Sequence, residues 1–231
     1  MLSIPQDRSH PLADRFVEFI GAADFPCVGA KAALGRDGIN FVVARDFGSA
    51  WDDLRIMPGL LDLARRYRAD PVPFQSLVVL FERGAPADEE AFETQLWARL
   101  QSLTDKDAWL GQPADPRVAH DPDDPHFAMS FGGEAFFVVG LHPRSSRPAR
   151  RFETPAMVFN LHDQFERLRQ AGRYEKLRGA ILKRDLKLAG TPNPMLAEHG
   201  TKSAARQYSG RAVGDQWQCP FSGRSDVSDA A

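Results

Sequence analysis

Cysteine is scarce in this chain: Cys27 and Cys219 are the only two, and they stand far apart. In a protein expected to be cytoplasmic, such a pair reads as buried thiols or metal ligands rather than as a disulfide. Long apolar runs are lacking as well. No stretch of about 18 or more apolar residues occurs, so no membrane-spanning helix and no membrane partner are expected. The opening MLSIPQDRSHPLADRF has no basic segment followed by an apolar core, so no signal peptide is expected. There is no excess of charge of either sign. A net charge of -2 excludes a general polyanion binder and makes any basic site a local one; no nucleic-acid partner is expected. The familiar signatures are missing too: no GxxxxGK[ST], GxGxxG, GxSxG, HExxH or CxxC. Nor is there an internal repeat, a low-complexity block or a composition break that would mark a linker.

What is present is an ordinary globular balance. The chain has 231 residues, 43% hydrophobic and 26% charged, enough for one large domain. PLADRFVEFI at 11–20 fits a short amphipathic helix. Arg36-Asp37-Gly38 is a turn signal before INFVVA at 39–44, so residues 31–44 read as a hairpin. A helix is predicted over 48–68, interrupted at Pro58-Gly59. FQSLVVLFE at 74–82 reads as a strand. A helix follows at 88–103, with its acids at the end that the helix dipole favours. Residues 114–125 form a loop. Strands at 127–131 and 134–141 flank Gly132-Gly133, a hairpin turn. AMVFN at 156–160 is a further strand, and helices follow at 162–170 and 173–188. Residues 191–221 lack periodicity but keep Met195, Tyr208, Trp217 and Phe221, so they are expected to wrap over the body. The fold class is therefore α+β: a single domain with a mostly antiparallel sheet flanked by helices and a long irregular C-terminal segment. Residues 1–10 read as a flexible arm, 11–221 as the domain and 222–231 as a disordered tail.

The basic loop LHPRSSRPARRF draws the eye. Arg144, Arg147, Arg150 and Arg151 fall within eight residues with no acid among them. No helical acid partner offsets them, and arginine holds carboxylate or phosphate through paired hydrogen bonds. The loop is either solvated or built around an anion. His142 ends the strand before it, beside Pro143, and is either bonded to nearby backbone or a metal ligand or acid–base group. His162 starts a helix and reads as a residue of its first turn. His126 and His199 read as structural or solvated. Cys219 lies in WQCPF. Aromatics on both sides, Trp217 and Phe221, would shield a thiolate or stack on a flat ligand, so Cys219 is either a buried thiol or a haem ligand. Asp163 and Glu166 share a helix face, as helix-start charge or as carboxylates for a cation.

FPCVGAKAAL, FFVVGLHPRSSRPARRF, VFNLHDQFERLR, Arg184-Asp185, NPML, ARQYSGR and WQCPF together resemble the YqcI/YcgG family. The resemblance covers roughly residues 25–221. Its members with an assigned activity are haem-dependent N-oxygenases acting on guanidine nitrogens. The resemblance therefore implies haem b, dioxygen, an external reductant and N-hydroxylation of an arginine-like guanidine or amine; a non-catalytic haem or small-anion binding protein or sensor is the alternative. On this reading Arg144, Arg147, Arg150 and Arg151 would meet the haem propionates, with Trp217 against the ring. Cys219 or His142, not both, would hold the iron, and Cys27 is a third candidate. Glu134, Glu153, Asp163, Glu166 and Asp185 are the carboxylates on offer to a guanidinium, with Asp163 and Glu166 preferred.

Overall fold

Alternation along the strands decides the architecture. The structure is a computed structural model that describes residues 7–195 and 201–224. Strands β1 (Ile39–Asp46), β2 (Ser76–Arg83), β3 (Met129–Phe131), β4 (Glu134–Leu141) and β5 (Ala156–Leu161) form one five-stranded sheet in the order β1-β2-β5-β4-β3. β1 and β2 pair in parallel; the other pairings are antiparallel. One face presents Val42, Val79, Phe81, Val138 and Phe159 to helices α3 (Asp53–Ala69) and α4 (Glu89–Trp109). The other presents Phe41, Val43, Val78 and Leu141 to helix α1 (Pro11–Gly21), with helix α2 (Val28–Leu34) beside it. Both faces are covered, so β2 reads as an unbroken apolar run.

Local chemistry sets the boundaries. Asp88 caps α4 by accepting the Ala91 N–H at 2.8 Å, and Phe92, Leu96, Leu100 and Leu103 then recur on its buried face. Each such side chain contributes roughly 1.5–3 kcal/mol by leaving water. The β3–β4 turn needs positive φ at both central residues, and Gly132 (59°) and Gly133 (79°) supply it. β3 pairs only with residues 134–136 of β4. Beyond it the edge of β4 is met by helix α7 (Ala205–Tyr208), whose Tyr208 hydroxyl donates to the Phe136 carbonyl at 3.2 Å. Residues 201–224 thus wrap over the body, with Tyr208 and Phe221 in the core beside Trp97.

Three expectations are corrected. Residues 31–44 are not a hairpin: VGAKAAL is helix α2, and β1 finds its partner in β2. Asp37, at φ 54°, makes the turn between them. α3 runs through Pro58 without a break, because Ile56, Met57, Leu60 and Leu63 are buried on both sides of it and outweigh the lost hydrogen bond. The ends are more engaged than expected. Asp7 donates its N–H to the Phe41 carbonyl at 3.1 Å and accepts from Val43 N–H at 2.7 Å. Gln101 holds Ser222 and Gly223, and Arg224 meets Asp107 at 2.7 Å. Residues 1–6 of the expected arm, 225–231 of the expected tail, and His199 lie outside the described residues.

Candidate functional site

Helices α5 (Asp163–Gln170) and α6 (Tyr174–Ala189) cross above the sheet without closing on it. Between them and the sheet lies a cavity of about 430 Å³, within the size range of cofactor and small-molecule sites. Val78, Val158, Asn160, Phe137, Val139 and Leu141 form its floor. Phe16, Ile20, Cys27 and Ala30 of the α1–α2 region form one wall, and Leu177, Ile181 and Leu182 of α6 form the roof. Asp185 is the one fully buried residue of α6, so the apolar side of this helix meets a hollow instead of packed side chains.

The basic loop shapes one end of this cavity, but mostly by binding the protein itself. Arg150 donates to the carbonyls of Gly140 (3.0 Å), Tyr208 (2.9 Å) and Gln207 (2.8 Å). It therefore ties the free edge of β4 to the last carbonyls of α7, where a cation is favoured. Burial lowers its pKa to about 10, against the raising charges of Asp185 and Cys27. Arg147 pairs with Asp185 of α6 and bonds the Thr191 carbonyl at 3.1 Å. Arg151 donates to the Ser145 and Ser146 carbonyls, and Arg144 is exposed. Arg147 and Arg150 line the cavity; Arg144 and Arg151 do not. The expectation of four arginines waiting for propionates is corrected accordingly: Arg147, Arg150 and Arg151 bind carbonyls, some within the loop and some distant, and one carboxylate.

The two preferred iron ligands also lie elsewhere. His142 follows β4 on the opposite face from the cavity. It is 1% exposed and stacked on Phe92 at 4.2 Å with an interplanar angle of 17°. Its Nδ1 has no hydrogen-bond partner, and burial pushes its pKa down to about 4. Cys219 packs against the α4-side core, and burial pushes its thiol up to about 12. Trp217 donates to Glu93 at 3.2 Å and carries the Arg206 guanidinium over its ring. None of His142, Cys219 and Trp217 lines the cavity.

Cys27 and His162 do line it. Cys27 caps α2, its Sγ accepting the Ala30 N–H at 3.4 Å. Burial raises its pKa, opposed by the N–H groups of Ala30 and Gly29 and by the Arg150 charge. His162 precedes α5, with Nε2 3.9 Å from Glu166. Cys27 stood in the sequence only as a third candidate for the iron, and His162 was set aside as a residue of a helix's first turn.

The far end of the cavity carries carboxylates braced by arginines. Asp163 accepts from the Tyr67 hydroxyl at 2.8 Å and from Arg167 at 2.7 Å, with Arg117 at 3.7 Å. Burial works to raise its pKa, but the hydrogen bonds from Arg167 and Tyr67 hold it below the usual carboxylate range. Asp115, 1% exposed, is held by Arg117 and accepts the Ala135 N–H at 2.8 Å. Glu134 bridges Arg68 and Arg117. Glu166 pairs with Arg169 and Glu153 with Arg15, the latter at the surface. Among the described residues no group of three or more His, Cys, Asp or Glu is arranged to hold a metal ion, and no helix is long and apolar enough to cross a membrane.

Comparison with known proteins gives one match. The profile of the YqcI/YcgG family aligns with residues 16–222. No curated protein and no solved structure matches the chain.

Proposed function

The chain belongs to the YqcI/YcgG family, and from that premise and the cavity we propose a haem-dependent monooxygenase that N-hydroxylates a guanidine or amine. The observation that carries the proposal is an apolar, sheet-floored cavity with the Cys27 thiol on its wall and braced carboxylates at its far end. These residues fit haem b: the flat floor and the α6 roof suit a planar ring, and the donor set includes a thiol and an imidazole, Cys27 and His162. Bound there, haem would supply dioxygen activation, with electrons from an external reductant.

The remaining roles belong to the chain. Cys27 would hold the iron; its Sγ accepts the Ala30 N–H on the cavity wall. Val78, Val139, Val158 and Leu182 exclude water around the reacting nitrogen. Asp163, kept ionised by Arg167 and Tyr67, is a fixed anion for a guanidinium, and its two donors leave it little freedom to turn. Arg147 and Arg150 hold the wall and roof around the site.

The test is spectroscopic first. Protein produced with a supply of haem should carry a Soret band, and the ferrous–CO band should sit at the red position of a thiolate complex. Cys27→Ala should lose that position, while Cys219→Ala and His142→Phe keep it. If no haem is retained or bound on addition, the proposal fails. A CO band at the imidazole position that is lost in His162→Ala would move the ligand to His162. Mass spectrometry of guanidines incubated with loaded protein, reductant and air should find a gain of one oxygen. Haem binding without product across a broad panel would favour a haem carrier or sensor.

A further inference from the structure

Helix α6 has two faces of different kind. Its inner face, with Leu177, Ile181 and Leu182, looks into the cavity. On the outer face Lys176, Lys183 and Lys187 are all exposed. Their spacing of seven and then four residues places them within about 40° of one another around the helix axis. None makes an ion pair among the described residues. The acids of α6 do not counter them: Asp185 is buried against Arg147 on the inner side, and Glu175 lies 3.8 Å from Arg178. Between Lys176 and Lys183 stands Gly179, exposed, with nothing within 4 Å of where a Cβ would be. Leu186 lies beside the strip, 45% exposed. In a chain of net charge -2, this is a local basic strip with bare backbone and one apolar contact, Gly179 and Leu186, along the same edge.

We propose that this strip is the docking surface for a small acidic electron-carrier protein of the iron–sulfur or flavin class. The proposal rests on the reading of the cavity given above. Monooxygenation needs two electrons and two protons from outside: one oxygen atom enters the N–O bond, the other leaves as water, and the carrier is oxidised. The chain has no flavin or nicotinamide signature of its own. A carrier seated on the strip would reach the bare backbone at Gly179 on its edge, with only the thickness of one helix between it and the cavity. Lysines steer an acidic partner at long range without locking it in place, which suits a partner that must leave after each delivery. Such encounters use small interfaces and weaken steeply with salt.

The test uses the full chain and two carriers, a plant-type ferredoxin and a flavodoxin. Their affinity for the haem-free protein is read by calorimetry at low and at physiological salt. The triple variant Lys176→Glu, Lys183→Glu, Lys187→Glu changes only exposed side chains. The wild type should bind at least one carrier at low salt and lose affinity as salt rises, and the variant should bind it about tenfold or more weakly. With haem loaded, reduction by the carrier should slow in the variant by a similar factor, while reduction by dithionite stays unchanged. Equal affinity in wild type and variant overturns the proposal, as does failure to bind either carrier. Binding of a DNA duplex or of anionic vesicles in place of both carriers would overturn it too, assigning the strip to a polyanion. A missing Soret band would sink the reading of the cavity, and the affinities would still decide the docking surface.

Discussion

A single buried imidazole shows what the interior of this protein requires. His142 stacks on Phe92 with no partner for Nδ1, so burial disfavours its charged form, against the nearby Glu89 charge. Its pKa is depressed from 6.5 to about 4, chiefly by burial. The unfolded chain therefore binds this proton more readily than the fold does. Its contribution to stability is complete above about pH 6.5 and declines as pH falls toward 4. Between pH 7 and pH 5 the loss should be about 2 kcal/mol from this group. Urea titrations at both pH values should show a difference that shrinks by that amount in His142→Phe; an unchanged difference would place the acid sensitivity elsewhere. The same residue shows where sequence reasoning stopped. Position 142 beside a proline and a basic loop suggested a ligand, but the face on which a strand-end side chain falls depends on the sheet's register. The arginines were misread for a related reason. Their charge was legible, but the carbonyls of Gly140, Gln207 and Tyr208 that absorb Arg150 lie up to 58 residues away in sequence.

At the scale of elements, periodicity carried well. Helix α4, strands β2, β4 and β5, and the Gly132-Gly133 turn follow from patterns of two and 3.6 residues and from turn chemistry. The parallel pairing of β1 with β2 did not, because a strand's sequence does not state its partner. Nor was the cavity legible, since the apolar residues of α6 look the same whether they meet side chains or a hollow. What fixes α6 in place is polar: Arg147 to Asp185, and Arg184 to the Ala23 and Phe25 carbonyls. Removing one member of a buried ion pair costs about 3–5 kcal/mol, whereas an apolar pair of similar volume is often neutral. Asp185→Asn should therefore lower stability by about 3 kcal/mol and speed amide exchange in α6. Combining Arg147→Met with Asp185→Leu should recover most of that loss. A double variant as unstable as the single one would show that the pair is not what holds the helix.

The whole molecule depends on a few acids placed where distant segments meet. Glu93, 4% exposed on α4, accepts from Ser209 at 2.8 Å, from Arg211 Nε at 2.9 Å and from the Trp217 indole at 3.2 Å. It fastens the irregular segment over the sheet, and nothing in DEEAFETQL marks it apart from its neighbours. Glu93→Ala should leave Arg211 and Trp217 without their acceptor and cost about 3 kcal/mol. Limited proteolysis should then cut within 209–224 well before the rest of the chain; protection equal to wild type would show that the apolar contacts of Tyr208 and Phe221 suffice.

Strand order has a consequence for synthesis. β5 lies between β2 and β4, and the Ser76–Asn160 contact in that pairing spans 84 residues. While the chain emerges from the ribosome, β1 and β2 can pair first, but the inner edge of β2, with Leu77 and Val79, stays open until β5 arrives. That is an apolar edge able to pair with a neighbouring nascent chain. β5 also supplies Val158 and Asn160 to the cavity floor. The cavity therefore does not exist in a half-made chain, because its floor is complete only once β5 has joined the sheet. Slowing translation before residue 156 should lengthen this exposed interval and lower the yield of folded protein.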